Sequence, residues 1–362
     1  MERSGIANLP LHGGHAPRWL FERMVKLSGE IVKIIAMEFG PDEVLRRFAD
    51  PYWFQAFSCV IGFDWHSSGT TTVTLGSLKQ VLREEHGVMV AGGKGVASHK
   101  TPQEIEKVGE KFNIPSWKVE RLKYSSKMAA KVDNALVQDG YSLYHHVILI
   151  SENGNWTVIQ QGMNASHKYA RRYHWIYGLN SFVNEPHRGI ISTKVENKVL
   201  DMTASKSEEA RKISVDMARE NPERIRRMIV KSRDDKQSTI DDFLGYKVLT
   251  MPWNINWKAM FKAYEIQPKD YEELINIKGV GPATVRALAY ISEVIYGAEP
   301  SWRDPVKYSF AVGGKDGVPK PVDRVAYDEG IQILQISIEE ANIGNREKLE
   351  MLKKLRRYVP KS

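Results

Sequence analysis

Segment 270–289 reads DYEELINIKGVGPATVRALA, and its residue types suit it to holding a phosphate. Leu274 and Ile277 close the apolar side of one short helix, Gly279, Val280 and Gly281 make a tight turn, and Pro282 stands at the first position of a second helix. Val285, Leu288 and Ala289 give that second helix a buried face. Glycines let backbone amides come close to an anion, and the start of a helix adds a favourable dipole. Such a turn grips the DNA backbone without reading bases, with Lys278, Thr284 and Arg286 placed beside it to meet phosphates. A second stretch, KYARRYHW at 168–175, offers Arg171 and Arg172 for phosphates and aromatic rings for stacking. It reads equally as a helix presenting its arginines to solvent.

Metal chemistry has a weaker signature. All ten histidines lie between His12 and His187, and the second half of the chain has none. Asp64 and His66 are two residues apart, which suits one edge of a metal site, and His12 and His15 could add to it. His145 and His146 fall on a strand and must point to opposite faces, so at most one of them joins any cluster. No HExxH and no H-x-E with CxxC is present, so hydrolytic zinc chemistry lacks a local pattern. The loop AGGKG at 91–95 lacks the Ser or Thr of an NTP-binding loop. The single cysteine, Cys59, excludes an internal disulfide, a cysteine-rich zinc site and an iron–sulfur cluster. The expectation is a protein with no metal and no cofactor.

The segment around Gly279–Gly281 resembles the helix-hairpin-helix motif of DNA repair proteins. Downstream, GGKDGVPKPVDRVAYD at 313–328 resembles the Gly/Pro-rich loop and helix-starting Val-Asp of base-excision DNA glycosylases of the same superfamily. That resemblance implies that Asp323 stabilises the cationic sugar formed as a base departs, or activates the attacking nucleophile. An Asp at a helix start is also a good N-cap. Members that also nick the strand carry a Schiff-base lysine two residues past the second glycine, where this chain has Ala283. Two readings follow: an enzyme that only removes the base, or one whose lysine has moved to Lys315 or Lys320 in the loop before Asp323. Lys315, between Gly313-Gly314 and Gly317, is preferred, because such a loop can approach DNA closely.

Further segments resemble a broad, mainly archaeal prokaryotic family labelled domain of unknown function 763. They are GIANLPLHGGHAPRWL at 5–20, FDWHSSG at 63–69, GGKG at 92–95, YHH at 144–146, QQGM at 160–163 and ARRYHW at 170–175. The resemblance covers nearly the whole chain and implies DNA repair, as a glycosylase with strand-nicking activity on damaged pyrimidines.

The elements that must position these residues follow from periodicity and punctuation. Apolar residues at three- and four-residue spacing predict a helix from Pro17 to before Gly40, and two more at 41–48 and 52–61. A polar stretch from His66 precedes a helix at 76–86, and a flexible loop at 91–95 follows. TPQE at 101–104 is a capping box opening a helix, and another helix occupies 115–138. Segments 144–150 and 156–161 read as a β-hairpin, and 189–200 as a further strand. Pro222 divides a charged helical stretch at 206–233, and nearly everything from Trp253 onward is helical.

The fold class expected is α+β: a mixed domain at 1–200, a charged helical connector at 201–250, and an all-α helix-hairpin-helix domain at 251–362. The 362 residues carry 52 Lys+Arg against 44 Asp+Glu, a net charge of +8. The excess is spread evenly, +4 before residue 189 and +4 after, so it permits a nucleic-acid partner without arguing for one. The opening MERSGIANLPLHGG has no apolar secretory core, and no run of about eighteen apolar residues occurs, so a soluble cytoplasmic protein is expected. The function expected is base-excision repair by a glycosylase with AP-lyase nicking, bound to DNA mainly through its backbone. Two alternatives stay open: a metal-dependent nuclease using Asp64, His66 and nearby histidines, and a non-catalytic DNA-binding protein.

Overall fold

Side-chain alternation along adjacent strands decides the architecture. The computed structural model describes residues 18–62, 68–164, 169–192, 194–234, 252, 254–306, 336, 338, 339 and 344–355. Strands β3 (Ser142–Ser151) and β4 (Trp156–Asn164) form the expected hairpin. With β1 (Val88–Lys94), β5 (Tyr169–Ile176) and β6 (Gly189–Ser192) they build an antiparallel sheet in the order β1-β3-β4-β5-β6. A separate pair joins β2 (Val137–Gln138) to β7 (Leu200–Asp201).

Successive strand residues point to opposite faces, and here both faces are covered. Val147, Leu149 and Ile159 pack among Met24, Ile31, Phe48, Phe54 and Leu75. Those partners come from α1 (Arg18–Phe39), α2 (Pro41–Ala49), α3 (Pro51–Val60) and α4 (Ser68–Val81). Ile148, Ile150, Val158, Tyr173 and Trp175 point the other way, against Ile105 of α5 (Thr101–Lys111) and Leu122, Met128 and Val132 of α6 (Ser116–Ala135). The same cluster continues through α7 (Glu208–Ala218), α8 (Pro222–Asp234), α9 (Trp257–Ile266), α10 (Tyr271–Asn276) and α11 (Pro282–Tyr296). One core therefore runs across the boundaries drawn from sequence at 200 and 251. A last helix, α12 (Asn345–Leu355), rests Met351 and Leu352 on the first cluster. The chain is α+β. No helix among the described residues is long and apolar enough to cross a membrane.

Local signals account for much of this. Met24, Leu27, Ile31 and Ile35 form the buried stripe of α1, at 0 or 1 % exposure. Asp50 caps α3 by accepting from the amides of Tyr52 and Trp53, at 2.7 and 3.1 Å. Elsewhere the structure corrects the sequence reading. Helix α4 begins at Ser68 rather than near 76, because its hydroxyls find partners in the interior: Thr74 donates to Ser58 and Thr71 to Gln161. The segment read as a flexible loop at 91–95 is mostly strand β1, paired with β3. Its glycines are needed there, since a Cβ on Gly92, at φ +102°, would run into the His146 carbonyl oxygen. Thr101 is the first helical residue of α5, so the capping box is absent. Glu104 instead accepts from the Gly92 amide and the Lys79 ammonium, both at 2.7 Å. The strand expected at 189–200 is only β6, with two residues of β7 beyond it.

The C-terminal helices are tied to the sheet by a buried ionic cluster. Arg171 on β5 donates to Asp139 at 2.8 Å and, through its other terminal nitrogen, to Asp304 at 2.7 Å. Tyr173 donates its hydroxyl to the same Asp139 oxygen at 2.7 Å, and the Tyr141 ring lies 4.5 Å from the guanidinium carbon. Burial pulls the Arg171 guanidinium down, but the two carboxylates more than reverse this and hold it above its ordinary value. A backbone bridge between Asp201 and Ser301 runs alongside. Removing one partner of a buried pair leaves an uncompensated charge. Asp139→Ala should therefore lower the unfolding free energy by about 3–5 kcal/mol in urea titrations; a loss below 1 kcal/mol would contradict this role.

Candidate nucleic-acid interface

The turn between α10 and α11 is built by residues whose backbone conformations are forced. Asp270 opens α10 by accepting from the Glu273 amide at 2.8 Å. Gly279 takes φ +97°, and a Cβ there would lie 2.7 Å from the Asn256 amide nitrogen and 3.0 Å from the Ala259 side chain. Val280 is buried and its amide donates to the Ile277 carbonyl at 3.2 Å. Gly281 is the N-cap of α11, where no side chain satisfies the helix's first amides, and Pro282 follows. Among the described residues the Gly279 and Gly281 amides make no hydrogen bond. Lys278 and Gly279 are exposed. The turn thus presents free amides at the start of a fifteen-residue helix, a geometry that accepts an anion.

Helix α6 and strand β2 fix this turn from one side. Lys127 donates to the Asn276 side-chain oxygen at 2.6 Å, Lys131 to the Ile277 carbonyl at 2.6 Å, and Gln138 to the Pro282 carbonyl at 2.8 Å. Burial and the Lys127 charge push the Lys131 ammonium down to about 8. Lys127 and Lys131 therefore bring positive charge to the residues just before the turn, where Lys278 is exposed. The two α6 lysines were not among the residues expected from sequence. Their signal is spacing, because Lys123, Lys127 and Lys131 recur every fourth residue on one helix face.

The other expected contacts are placed differently. Thr284 is 2 % exposed and faces the core, so its side chain is not a phosphate contact. Arg286 is half-buried, its Nε has no partner, and burial lowers its pKa. The reading of 168–175 as an exposed basic surface, helical or otherwise, is corrected. Arg171 and Arg172 lie on β5 and are fully buried, one toward each face of the sheet. Arg171 is held by carboxylates that sequence proximity could not reveal. Asp323, Lys315 and Lys320 lie outside the described residues, as do His12, His15, Asp64 and His66. Among the described residues no group of three or more His, Cys, Asp or Glu could hold a metal ion.

The remaining polar side chains of the sheet are internal. His146 meets Ser126 of α6 through Nε2 and Gln160 through Nδ1, both at 2.7 Å. Gln160 donates to Asp133, which also receives Trp175 and His187. His145 points to the opposite face, and neither of its ring nitrogens has a partner. An antiparallel sheet between helical layers, with a glycine turn and two helices on one of them, defines an α+β protein with an anion-facing corner. The chain belongs to the family described as protein of unknown function (DUF763), whose sequence model matches residues 5–322. No curated protein and no solved structure matches it.

Burial pushes His145 down to about 3, lowers His146, and holds His174 well below the ordinary range. Each binds its proton more weakly folded than unfolded, so acid favours the unfolded chain. The stability is fully present above the unfolded pKa of about 6.5 and is lost as pH falls below it. Unfolding free energies measured between pH 7 and 5 should therefore decline with acid, by up to about 1.4 kcal/mol per pH unit for each histidine. His145→Gln should flatten the profile by one such increment; an unchanged slope would refute the assignment.

Proposed function

We propose that this protein is a cytoplasmic DNA-repair enzyme of the base-excision type, a DNA glycosylase with AP-lyase nicking on damaged pyrimidines. The observation that carries the reading is the α10–α11 turn, read as a helix-hairpin-helix. Two glycine amides are free there, no side chain caps the following helix, and Lys127 and Lys131 bond to Asn276 and Ile277 just before the turn. A duplex phosphate seated on those amides would anchor the backbone without reading sequence, as a lesion-searching enzyme requires. The damaged nucleotide must then leave the stack for its glycosidic bond to be reached.

The chemistry rests on the sequence resemblance. Asp323 stabilises the positive charge that develops on the sugar as the base departs. The amine of Lys315, or of Lys320, attacks C1′ and displaces the base. Ring opening gives an imine, and loss of a C2′ proton then expels the 3′ phosphate. No metal enters this scheme, so activity is expected to survive EDTA.

Gly281 separates binding from folding. Its backbone is extended, at φ −137°, and a Cβ there would meet nothing within 4 Å. Gly281→Ala should keep stability within about 0.5 kcal/mol while placing a methyl group where a phosphate would sit. An affinity for duplex DNA reduced by about tenfold, measured by fluorescence anisotropy at fixed salt, is the expected result. Unchanged affinity would remove the hairpin from the interface. For the chemistry, borohydride treatment on oligonucleotides carrying oxidised or deaminated pyrimidines should trap a covalent adduct that Lys315→Ala or Lys320→Ala abolishes. The absence of an adduct on every lesion, with base release retained, leaves a glycosylase alone; cleavage abolished by EDTA points to a nuclease.

A further inference from the structure

Arg171 and Arg172 are neighbours on β5, equally buried, and opposite in how their charges are met. Arg171 lies between two carboxylates. Arg172, on the face covered by α1–α4, forms no ion pair among the described residues. Its Nε donates to His174 Nε2 at 2.8 Å and one terminal nitrogen reaches the Thr71 hydroxyl at 3.4 Å. The Phe54 ring lies 4.3 Å from its guanidinium carbon. The other terminal nitrogen, Nη2, is buried with no partner among the described residues. His174 brings no countercharge, because its Nδ1 donates to the Phe48 carbonyl and its Nε2 is then the neutral acceptor. Burial lowers the Arg172 pKa to about 9, which still leaves the group charged at neutral pH.

A buried guanidinium that meets no carboxylate among the described residues, with the Cys59 thiol the one neighbour favouring its charge, is costly to keep, and its planar fork matches an oxyanion closely. We propose that Arg172 is the floor of an oxyanion-binding site, which takes the phosphate or carboxylate group of a small ligand. The surroundings are built to hold the guanidinium still. Thr71 donates its hydroxyl to Gln161 at 2.5 Å, so its oxygen is left to accept from Arg172. Gln161 in turn donates to the Ser68 carbonyl at 2.8 Å and to the Tyr144 hydroxyl. Thr71 stands in the first turn of α4, where the helix dipole also favours an anion. Lys94, His145, Gln161 and Arg172 are directly opposed across β1, β3, β4 and β5, forming one row on this face. His145 on that row has two further buried nitrogens without partners. This end of the sheet therefore leaves polar atoms of two side chains, Arg172 and His145, without partners on one face among the described residues. The inference is independent of what the hairpin binds.

The test uses the full chain and thermal unfolding at constant ionic strength in potassium chloride, phosphate or acetate. Phosphate, acetate or both at about 20 mM should raise the midpoint by about 3 °C or more over chloride, the arms separating the two anion chemistries. Arg172→Gln should abolish that shift and, having lost an unpaired buried charge, unfold no earlier than the wild type in chloride. Arg172→Lys keeps a charge without the fork and should reduce the apparent affinity by about tenfold in calorimetric titration with inorganic phosphate. Three results would overturn the proposal. They are a wild type indifferent to both anions, an equal shift in the Arg172 variants, and an Arg172→Gln protein markedly less stable in chloride, which would make the guanidinium purely structural.

Discussion

The ionic cluster at Arg171 sets the order of the whole molecule. Its partners come from the turn after β2 and from the segment after α11, with the arginine itself on an inner strand of the sheet. Loss of either carboxylate would leave a buried charge less compensated, so the cluster ties those two segments to β5 more than it adds raw stability. It places α11 against the sheet from its C-terminal end. Lys127, Lys131 and Gln138 place the same helix pair from its N-terminal end, through carbonyls and an amide at the turn. The corner that carries the glycine turn is thus located by polar contacts at both ends and by apolar packing between them.

The same face carries a second polar chain, from Ser126 through His146 and Gln160 to Asp133 and His187. Its members alternate donor and acceptor without a gap, so a sheet end that reads as hydrophilic is internally satisfied. The strand alternation that produces this order on one side sends Arg172 and His145 to the other. There the accounting fails to close within the described residues. The two arginines differ in how their charges are met: Arg171 lies between two carboxylates, and Arg172 forms no ion pair among the described residues.

Much of the helical framework was legible in the sequence because its signals are local. The stripe of α1, the short helices read at 41–48 and 52–61, and the β3–β4 hairpin depend on neighbours a few residues away. The glycine turn was legible for the same reason. What escaped depends on distant partners. Ser68 to Thr74 resemble a loop until Ser58 and Gln161 are in place. Strand β1 contains two glycines and a lysine, and its strand character comes from pairing with β3. The Arg171–Arg172 pair reads as surface charge because nothing nearby in the chain announces Asp139 or Asp304. Lys127 and Lys131 were visible as a spacing, but their relation to the turn exists only after α6 packs on α10.

The glycines of β1 also bear on how the molecule behaves in a crowded solution. An edge strand offers a row of unpaired amides and carbonyls that another chain can extend into a larger sheet. Here the edge leaves extended geometry at Gly92 and Gly93, where φ is +102° and +154°, and ends in Lys94. At the opposite edge, β6 is four residues long. A conformation required by close approach to His146 thus also spoils the template for strand addition, and Glu104 and Lys79 occupy the Gly92 amide and carbonyl that would otherwise pair.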